Sequence, residues 1–371
     1  MASPKPHLTC TYDPINHLEL DVYIPSSFSP SSIDGKYQVP AVIWFHGGGF
    51  VRGGKGDINP YLLGKSPTIS PPSKISMYSR IDVSHTSEKL LPRGIVIISP
   101  NYRLLIPTTA QAIITDIQTL FQYLSSPTSS IHTALADHHQ TLDVSHLAVY
   151  GVSSGSYPAR AAATLHHVVP RPRAFVCVSG MSGDLLFNHW VSPKTGTDRL
   201  TVSPENMVEI GKRLEGESQQ VWSDLPLFGE TSASVSGESK SRGDLFKTLY
   251  NEGTILDHML DLPGISSILR TLPHHDRFAA ISKEKRYLLL PMTPHTCPTM
   301  VVHGRQDKQV PFAEGLKTWD DLGENGVERE CQWFEGGGHE VADPERMEMR
   351  REEWEMGLET VLGWLEGVLR R

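Results

Sequence analysis

The chain has 371 residues, 39% of them hydrophobic and 20% charged, a balance that is ordinary for a globular enzyme. The formal net charge of -8 argues against nucleic acid as a partner. No stretch approaches the roughly 20 apolar residues of a membrane span, and the first ten residues lack the apolar core of a secretory signal. We therefore expect a cytoplasmic protein, and its four scattered cysteines lack metal-binding spacing, so we expect neither metal nor cofactor.

Short apolar runs rich in β-branched residues alternate with segments of helical period, a pattern typical of α/β layering. Two alternating segments, 7–12 and 18–23, predict an antiparallel hairpin at a sheet edge. The mostly apolar runs that follow predict parallel strands buried on both faces, at 39–45, 94–99, 146–150, 174–179, 299–303 and 330–334. We thus expect a mixed, mostly parallel central sheet of about eight strands, flanked by helices.

The last segment, 344–371, predicts a helix that packs on the sheet, because its apolar residues recur at helical spacing and Glu and Arg fill the other face. The apolar set is Trp354, Leu358, Val361, Leu362, Leu365 and Leu369.

Two regions do not fit the alternation of strands and helices that a minimal α/β core requires. Both leave the core after strands on the side where strand ends present ligand, so we expect a helical cap from 184–296, with a contribution from 51–93. The core then comprises 1–183 and 297–371. Alternatively, the apolar faces of the long insertion pack only on outer helices or form a dimer contact. Helical patterns in that insertion occur at 206–214 and 245–260.

A candidate nucleophile follows the predicted strand 146–150. The run 151–155, GVSSG, lies between that strand and a helix-favouring segment, and a nucleophilic serine on such a strained turn needs small neighbours. Gly151 and Gly155 supply them, so we predict that Ser153 is the nucleophile. A lone GxSxG occurs often by chance, and the alternative is a plain Ser/Gly loop.

The run 46–50, HGGGF, follows the predicted strand 39–45. Glycines let backbone N–H groups converge on an oxygen, so the run predicts an oxyanion hole, with a flexible turn as the alternative. Its place before the serine motif, with a strand and a helix between them, makes the pair more specific than either motif alone.

The base must come from 17 histidines. His339 follows the predicted strand 330–334 and a glycine-rich turn, which places it on a loop at a strand's carboxyl end, so we predict it as the base. His274 and His275 lie in the insertion and are weaker candidates, whereas His46 is expected to anchor its own loop.

Two carboxylates compete to orient that base. Asp307 follows the predicted strand 299–303, and Asp184 follows the predicted strand 174–179. We favour Asp307, because a GxxD turn leading into Val310 and Pro311 has the shape of an acid loop. A carboxylate there fixes the tautomer of His339 and stabilises the imidazolium formed when Ser153 loses its proton.

The runs HGGGF, GVSSG, HGRQDKQVP and GGGH, in this order, resemble the α/β-hydrolase superfamily. Together with NYRL at 101–104, HGGGF is similar to the hormone-sensitive-lipase-like and carboxylesterase branch. The resemblance implies an esterase with the α/β-hydrolase fold, a cap and the triad of Ser153, Asp307 and His339. It further implies an oxyanion hole from the amides of Gly47, Gly48 and Ser154, and Asp116 resembles a structural position of that branch.

The sequence departs from the branch around the nucleophile, where GDSAGG is usual and Val152 and Ser156 stand here. The acid loop is closer to peptidase-like and dienelactone-hydrolase-like relatives. Three functions stay open. The first is hydrolysis of an apolar carboxylic ester of a small molecule, through an acyl-enzyme. The second is an esterase-like step of natural-product biosynthesis, by cyclisation, elimination, condensation or thioester release, for which the long lid would suit a bulky apolar substrate. The third is ligand binding without turnover, against which the complete triad argues.

Overall fold

An eight-stranded sheet forms the centre of the computed structural model, which describes residues 6–25, 37–58, 90–181, 183–227, 235–339 and 347–371. The strand order is β1-β2-β4-β3-β5-β6-β7-β8. β2 pairs antiparallel with β1 and β4, and the remaining neighbours are parallel, which confirms the predicted mixed sheet. The strands are β1 (Leu8–Asp13), β2 (Leu18–Tyr23), β3 (Tyr37–Phe45), β4 (Val96–Pro100), β5 (Gln140–Val152), β6 (Ala174–Val178), β7 (Thr299–Gly304) and β8 (Arg329–Phe334).

Helices flank the sheet, and six of them lie between β6 and β7 within the described residues. None of the described helices is both long and apolar enough to cross a bilayer. The helices are α1 (Ala110–Ser125), α2 (Ser130–Asp137), α3 (Ser156–Thr164), α4 (Asn188–Val191), α5 (Met207–Leu214), α6 (Gly237–Glu252), α7 (Ile255–Leu260), α8 (Ile265–Leu269), α9 (His274–Ala280), α10 (Phe312–Glu324) and α11 (Met347–Leu369).

The period of two along each strand sorts its side chains between the two faces of the sheet. On β7, Met300 and Val302 belong to the apolar cluster under α11, whereas Val301 and His303 point to the opposite face, where α10 packs. The apolar residues predicted for α11 belong to the same cluster as Met300 and Val302, and Leu362 is fully buried there. The predicted packing of the last helix on the sheet is therefore confirmed.

The helical pattern predicted at 245–260 forms two helices rather than one. α6 ends at Glu252, and the next residue, Gly253, adopts φ 65°, a conformation that favours glycine and stops a helix. A Cβ there would also lie 2.6 Å from the backbone of Ser192, so no larger residue fits. The break lets α7 turn and pack against α1, and Leu256, Met259 and Leu260 are buried in the main core.

The packing of α11 yields a stability prediction. Leu362→Ala removes a fully buried side chain and should lower the free energy of unfolding by about 2–5 kcal/mol in urea titrations. Met356→Ala on the same helix is the matched control, because Met356 is 66% exposed and its loss should cost under about 0.5 kcal/mol. Equal losses for the two variants would contradict the docking of this helix.

Candidate active site

Ser153 lies at the carboxyl end of β5, on a tight turn that leads into α3. Its φ is 54°, in the left-handed region that non-glycine residues rarely adopt. The turn is possible because glycines stand two residues before and two residues after Ser153. A Cβ at Gly151 would lie 2.5 Å from the carbonyl oxygen of Gly155, and a Cβ at Gly155 would lie 2.2 Å from the carbonyl oxygen of Phe45. The strand, strained turn and helix predicted from GVSSG are therefore present.

The structure brings Ser153, His339 and Asp307 together. His339 Nε2 lies 3.0 Å from Ser153 Oγ, and His339 Nδ1 lies 2.9 Å from Asp307 Oδ2. Asp307 is on the loop after β7, and His339 is on the loop after β8, as the sequence predicted. This geometry allows proton transfer from the serine hydroxyl to an oriented imidazole.

The Asp307 carboxylate is fully buried and well supplied with donors. Its Oδ1 accepts hydrogen bonds from the amides of Gln309 and Val310, both at 2.9 Å. Burial acts to raise the pKa of Asp307, but hydrogen bonds from His303 and His339 and their positive charge when protonated outweigh it, so the pKa lies well below its ordinary value. Asp307 is therefore ionised at neutral pH.

The glycine run after β3 lies directly against the serine. A Cβ at Gly47 would be 3.2 Å from Ser153 Cβ and 3.9 Å from Ser153 Oγ. Gly48 has φ 113°, and a Cβ there would lie 2.1 Å from the carbonyl oxygen of Arg52, so this position also requires glycine. Ser154 is in the first turn after β5, where N–H groups have no partner within a helix. The use of these amides as an oxyanion hole remains a prediction.

His46 and Tyr102 support this loop from below. The Tyr102 hydroxyl donates to the carbonyl oxygen of His46 at 2.7 Å, and the two rings stack with centroids 4.4 Å apart. His46 Nδ1 lies 2.8 Å from the carbonyl oxygen of Gly47, and burial lowers the pKa of His46 to about 4. His46 thus anchors its own loop, as the sequence predicted, and does so as a neutral ring.

Asp116 on α1 holds the segment that contains Tyr102. Its carboxylate is fully buried and accepts from the Arg103 amide and from Arg103 Nε, each at 2.8 Å. Burial raises the pKa of Asp116 to about 6, although Arg103 opposes that shift. These contacts hold the backbone and the side chain of Arg103 next to Tyr102.

Asp184, the competing acid, is engaged elsewhere. Its Oδ2 lies 2.8 Å from His274 Nε2, and its Oδ1 accepts from the amide of Leu186 at 2.9 Å. His275 is exposed and lies near Asp276. These contacts bind the start of the long insertion to α9, and the histidine that meets Ser153 pairs with Asp307 instead.

The long insertion reaches the HGGGF loop and the loop after β7 that carries Asp307. Phe246 on α6 packs on Gly49, where a Cβ would lie 2.3 Å from the ring. Centroid distances of 6.1 Å and 5.3 Å then join Phe246 to Tyr250 and Tyr250 to His189. His189 Nε2 lies 3.0 Å from the carbonyl oxygen of Gln309. Gln309 is in the loop 305–311 between β7 and α10, which carries Asp307 and is called the acid loop below. Sequence reasoning missed this aromatic row, since its contacts join segments far apart in the chain.

The shorter insertion, 51–93, is described only in part, and 59–89 lie outside the described residues. At its start, Gly53 and Leu225 exchange backbone hydrogen bonds of 2.7 and 3.0 Å. Arg242 of α6, which is buried, donates to the carbonyl oxygen of Val51 at 2.5 Å. The two insertions therefore meet beside the HGGGF loop.

His303 is a second residue that sequence reasoning missed. Its side chain is fully buried on the α10 side of β7, and its Nε2 lies 3.4 Å from Asp307 Oδ2. The alternation along β7 could have flagged a buried polar residue just before the acid loop.

Within the described ranges, no group of three or more His, Cys, Asp or Glu residues could hold a metal ion.

Comparisons with known families match part of the chain. A model of the prolyl oligopeptidase family matches residues 241–368, a stretch that includes Asp307 and His339 but not Ser153. A search of curated proteins found no relative.

Solved structures match the whole chain at low sequence identity. An α/β-hydrolase superfamily protein from Enterococcus faecalis is 16% identical with a TM-score of 0.51, over 99% of this chain and 100% of that one. An esterase of Pyrobaculum calidifontis is 14% identical with a TM-score of 0.50, over 100% and 87%. A Staphylococcus aureus protein of unknown function is 12% identical with a TM-score of 0.52, over 98% of each chain. Together with the sheet order and the flanking helices, these likenesses show that the chain has the α/β-hydrolase fold.

Proposed function

We propose that the protein is a serine hydrolase that cleaves a carboxylic ester through an acyl-enzyme on Ser153. The observation that carries the proposal is the continuous path from Ser153 Oγ to His339 Nε2 at 3.0 Å and from His339 Nδ1 to Asp307 Oδ2 at 2.9 Å. It starts at a serine held in a strained turn and ends at a buried, ionised carboxylate. A serine with only a structural role requires neither a strained turn nor a hydrogen-bonded path through a histidine to a buried carboxylate.

In the proposed reaction, Ser153 Oγ attacks the acyl carbon while His339 Nε2 takes its proton. Amides of Gly47, Gly48 and Ser154 stabilise the negative oxygen of the tetrahedral intermediate. His339 then protonates the leaving alcohol, and the acyl group stays on Ser153. Water attacks the acyl-enzyme as His339 takes a proton from it, and the return of that proton to Ser153 releases the acid.

The insertion 184–296, joined by 51–93, is proposed to act as a cap that selects the substrate. Support comes from two contacts of the long insertion: Phe246 packs on Gly49 of the HGGGF loop, and His189 reaches the carbonyl oxygen of Gln309 near Asp307. Because α7 packs on α1, the proposed covering of the site falls to α4 and α6, which carry His189 and Phe246. Aromatic rings at this position favour an apolar acyl group.

Peptide amides are a second candidate substrate class. The match to the prolyl oligopeptidase family model over 241–368 favours it, because that stretch contains the proposed acid and base. The same residues serve amide cleavage, with His339 protonating an amine instead of an alcohol. A comparison of p-nitrophenyl acetate with a peptide p-nitroanilide separates the two classes.

The nucleophile is tested by Ser153→Ala. We expect the variant to lose labelling by a fluorophosphonate probe and turnover of p-nitrophenyl acetate, because the Ser153 hydroxyl is the group that His339 Nε2 contacts. Its circular dichroism and melting temperature should match those of the wild type. Ser154→Ala is the neighbouring control and should keep labelling, since only the amide of Ser154 is proposed to act. Undiminished labelling of Ser153→Ala would refute the assignment.

The base and acid are tested by three variants. His339→Ala should lower kcat by several orders of magnitude, and Asp307→Asn should lower it by about 10²- to 10⁴-fold, because Asn favours the wrong histidine tautomer. Asp184→Asn is the matched control and should change kcat by less than about threefold, since Asp184 pairs with His274. A silent Asp307→Asn beside a damaging Asp184→Asn would reassign the acid.

The cap is tested by Phe246→Ala. Removing the ring that covers Gly49 should change the ratio of kcat/KM for p-nitrophenyl octanoate and acetate by about tenfold or more. Labelling by a small phosphonate should persist. Ile268→Ala in the same insertion is the control, because Ile268 is 55% exposed on α8. If neither variant alters the substrate profile, α6 does not select the acyl group.

A further inference from the structure

His303 lies beside the acid of the proposed triad, at the same carboxylate oxygen that His339 contacts. Its ring is fully buried, with Nε2 at 2.9 Å from the carbonyl oxygen of Val310 and at 3.4 Å from Asp307 Oδ2. Both oxygens are acceptors, so Nε2 carries the hydrogen and is shared between them, with the shorter bond to Val310.

Helix α10 fixes the orientation of this ring. His303 Nδ1 has no hydrogen-bond partner among the described residues, and a Cβ at Gly315 would lie only 2.8 Å from it. The ring of Phe312 packs edge-on at 5.9 Å between centroids. The contacts leave Nε2 as the donor and keep it aimed at the acid loop.

The donors around Asp307 divide between its two oxygens. Oδ1 is held by the amides of Gln309 and Val310, whereas Oδ2 meets two histidine side chains, His339 at 2.9 Å and His303 at 3.4 Å. His303 also holds the carbonyl oxygen of Val310, so it ties the acid loop to β7.

We infer that His303 is a positioning residue, which fixes the plane of the Asp307 carboxylate so that Oδ2 stays aimed at His339 Nδ1. The inference rests on the proposed function. A donor on Oδ2 favours the carboxylate over the carboxylic acid, so the proton that His339 takes from Ser153 stays on the imidazole. His303 acts through Asp307 and touches no reacting atom.

The test compares two substitutions at one position. His303→Gln keeps an amide N–H near the place of Nε2, whereas His303→Leu fills the space without a donor. If His303→Leu fails to fold, His303→Asn replaces it, because the Asn amide ends near the place of Nδ1 and cannot reach Oδ2. His258→Leu on α7 is the control for the loss of a half-buried histidine away from the triad.

We expect His303→Leu to lower kcat for p-nitrophenyl acetate and the rate constant of fluorophosphonate labelling by about 10- to 100-fold, with KM within about twofold. The acidic limb of the pH profile should move up by roughly half a unit or more, because the Asp307–His339 pair with one donor fewer takes up a proton at higher pH. His303→Gln should restore most of kcat and the position of the limb, and His258→Leu should leave both unchanged.

His189 and Tyr250, on helices of the insertion, are also titratable and lie near Asp307, and neither accounts for such a shift. Burial, aided by Lys194, lowers the pKa of His189 to about 4, and burial raises the pKa of Tyr250 above its ordinary value. Both are therefore neutral across the acidic limb of a histidine-dependent reaction.

Two results would overturn the inference. One is a His303→Leu enzyme with wild-type kcat and pH profile. The other is an equal loss in His303→Leu and His303→Gln with an unmoved limb, which marks His303 as packing only. If the wild type reacts with the fluorophosphonate but cleaves no ester, the proposed function fails, and the labelling rates still test His303. If it reacts with neither, both proposals fail.

Discussion

The close approach of the Ser153 turn to the end of β3 is the constraint on which the rest of the site depends. A side chain at Gly155 would collide with the carbonyl oxygen of Phe45, and one at Gly47 would press on Ser153. Backbone thus packs on backbone, and the serine and the HGGGF loop cannot move independently. Parallel pairing of β3 with β5 sets this spacing, so the sheet itself aligns Ser153 with the proposed oxyanion hole.

Most of the fold could be predicted because most strands are short apolar runs and turn residues mark where they end. The prediction was wrong at β5, which begins at Gln140 rather than at residue 146. Polar residues there resemble a loop, yet they form a ladder with β3 from Tyr37 to Val39. Such pairing depends on the partner strand. The break at Gly253 was missed because a glycine within a helical pattern is often tolerated.

The proposed triad could be predicted because each member follows a strand in a local motif. Its supporting contacts could not, because they join distant segments: Tyr102 to His46, Phe246 to Gly49, and His303 to the acid loop. These contacts hold the HGGGF loop and the loop that carries Asp307. The long insertion meets the same two loops, so the proposed cap contacts both the proposed oxyanion hole and the loop of the proposed acid.

The most direct measurement is the structure of the protein after reaction with a phosphonate ester. The account predicts phosphorus bonded to Ser153 Oγ, with the phosphoryl oxygen within about 3 Å of the amides of Gly47, Gly48 and Ser154. His339 should stay between the adduct and Asp307. A phosphonate on another residue, or a phosphoryl oxygen that points into solvent, would contradict the account.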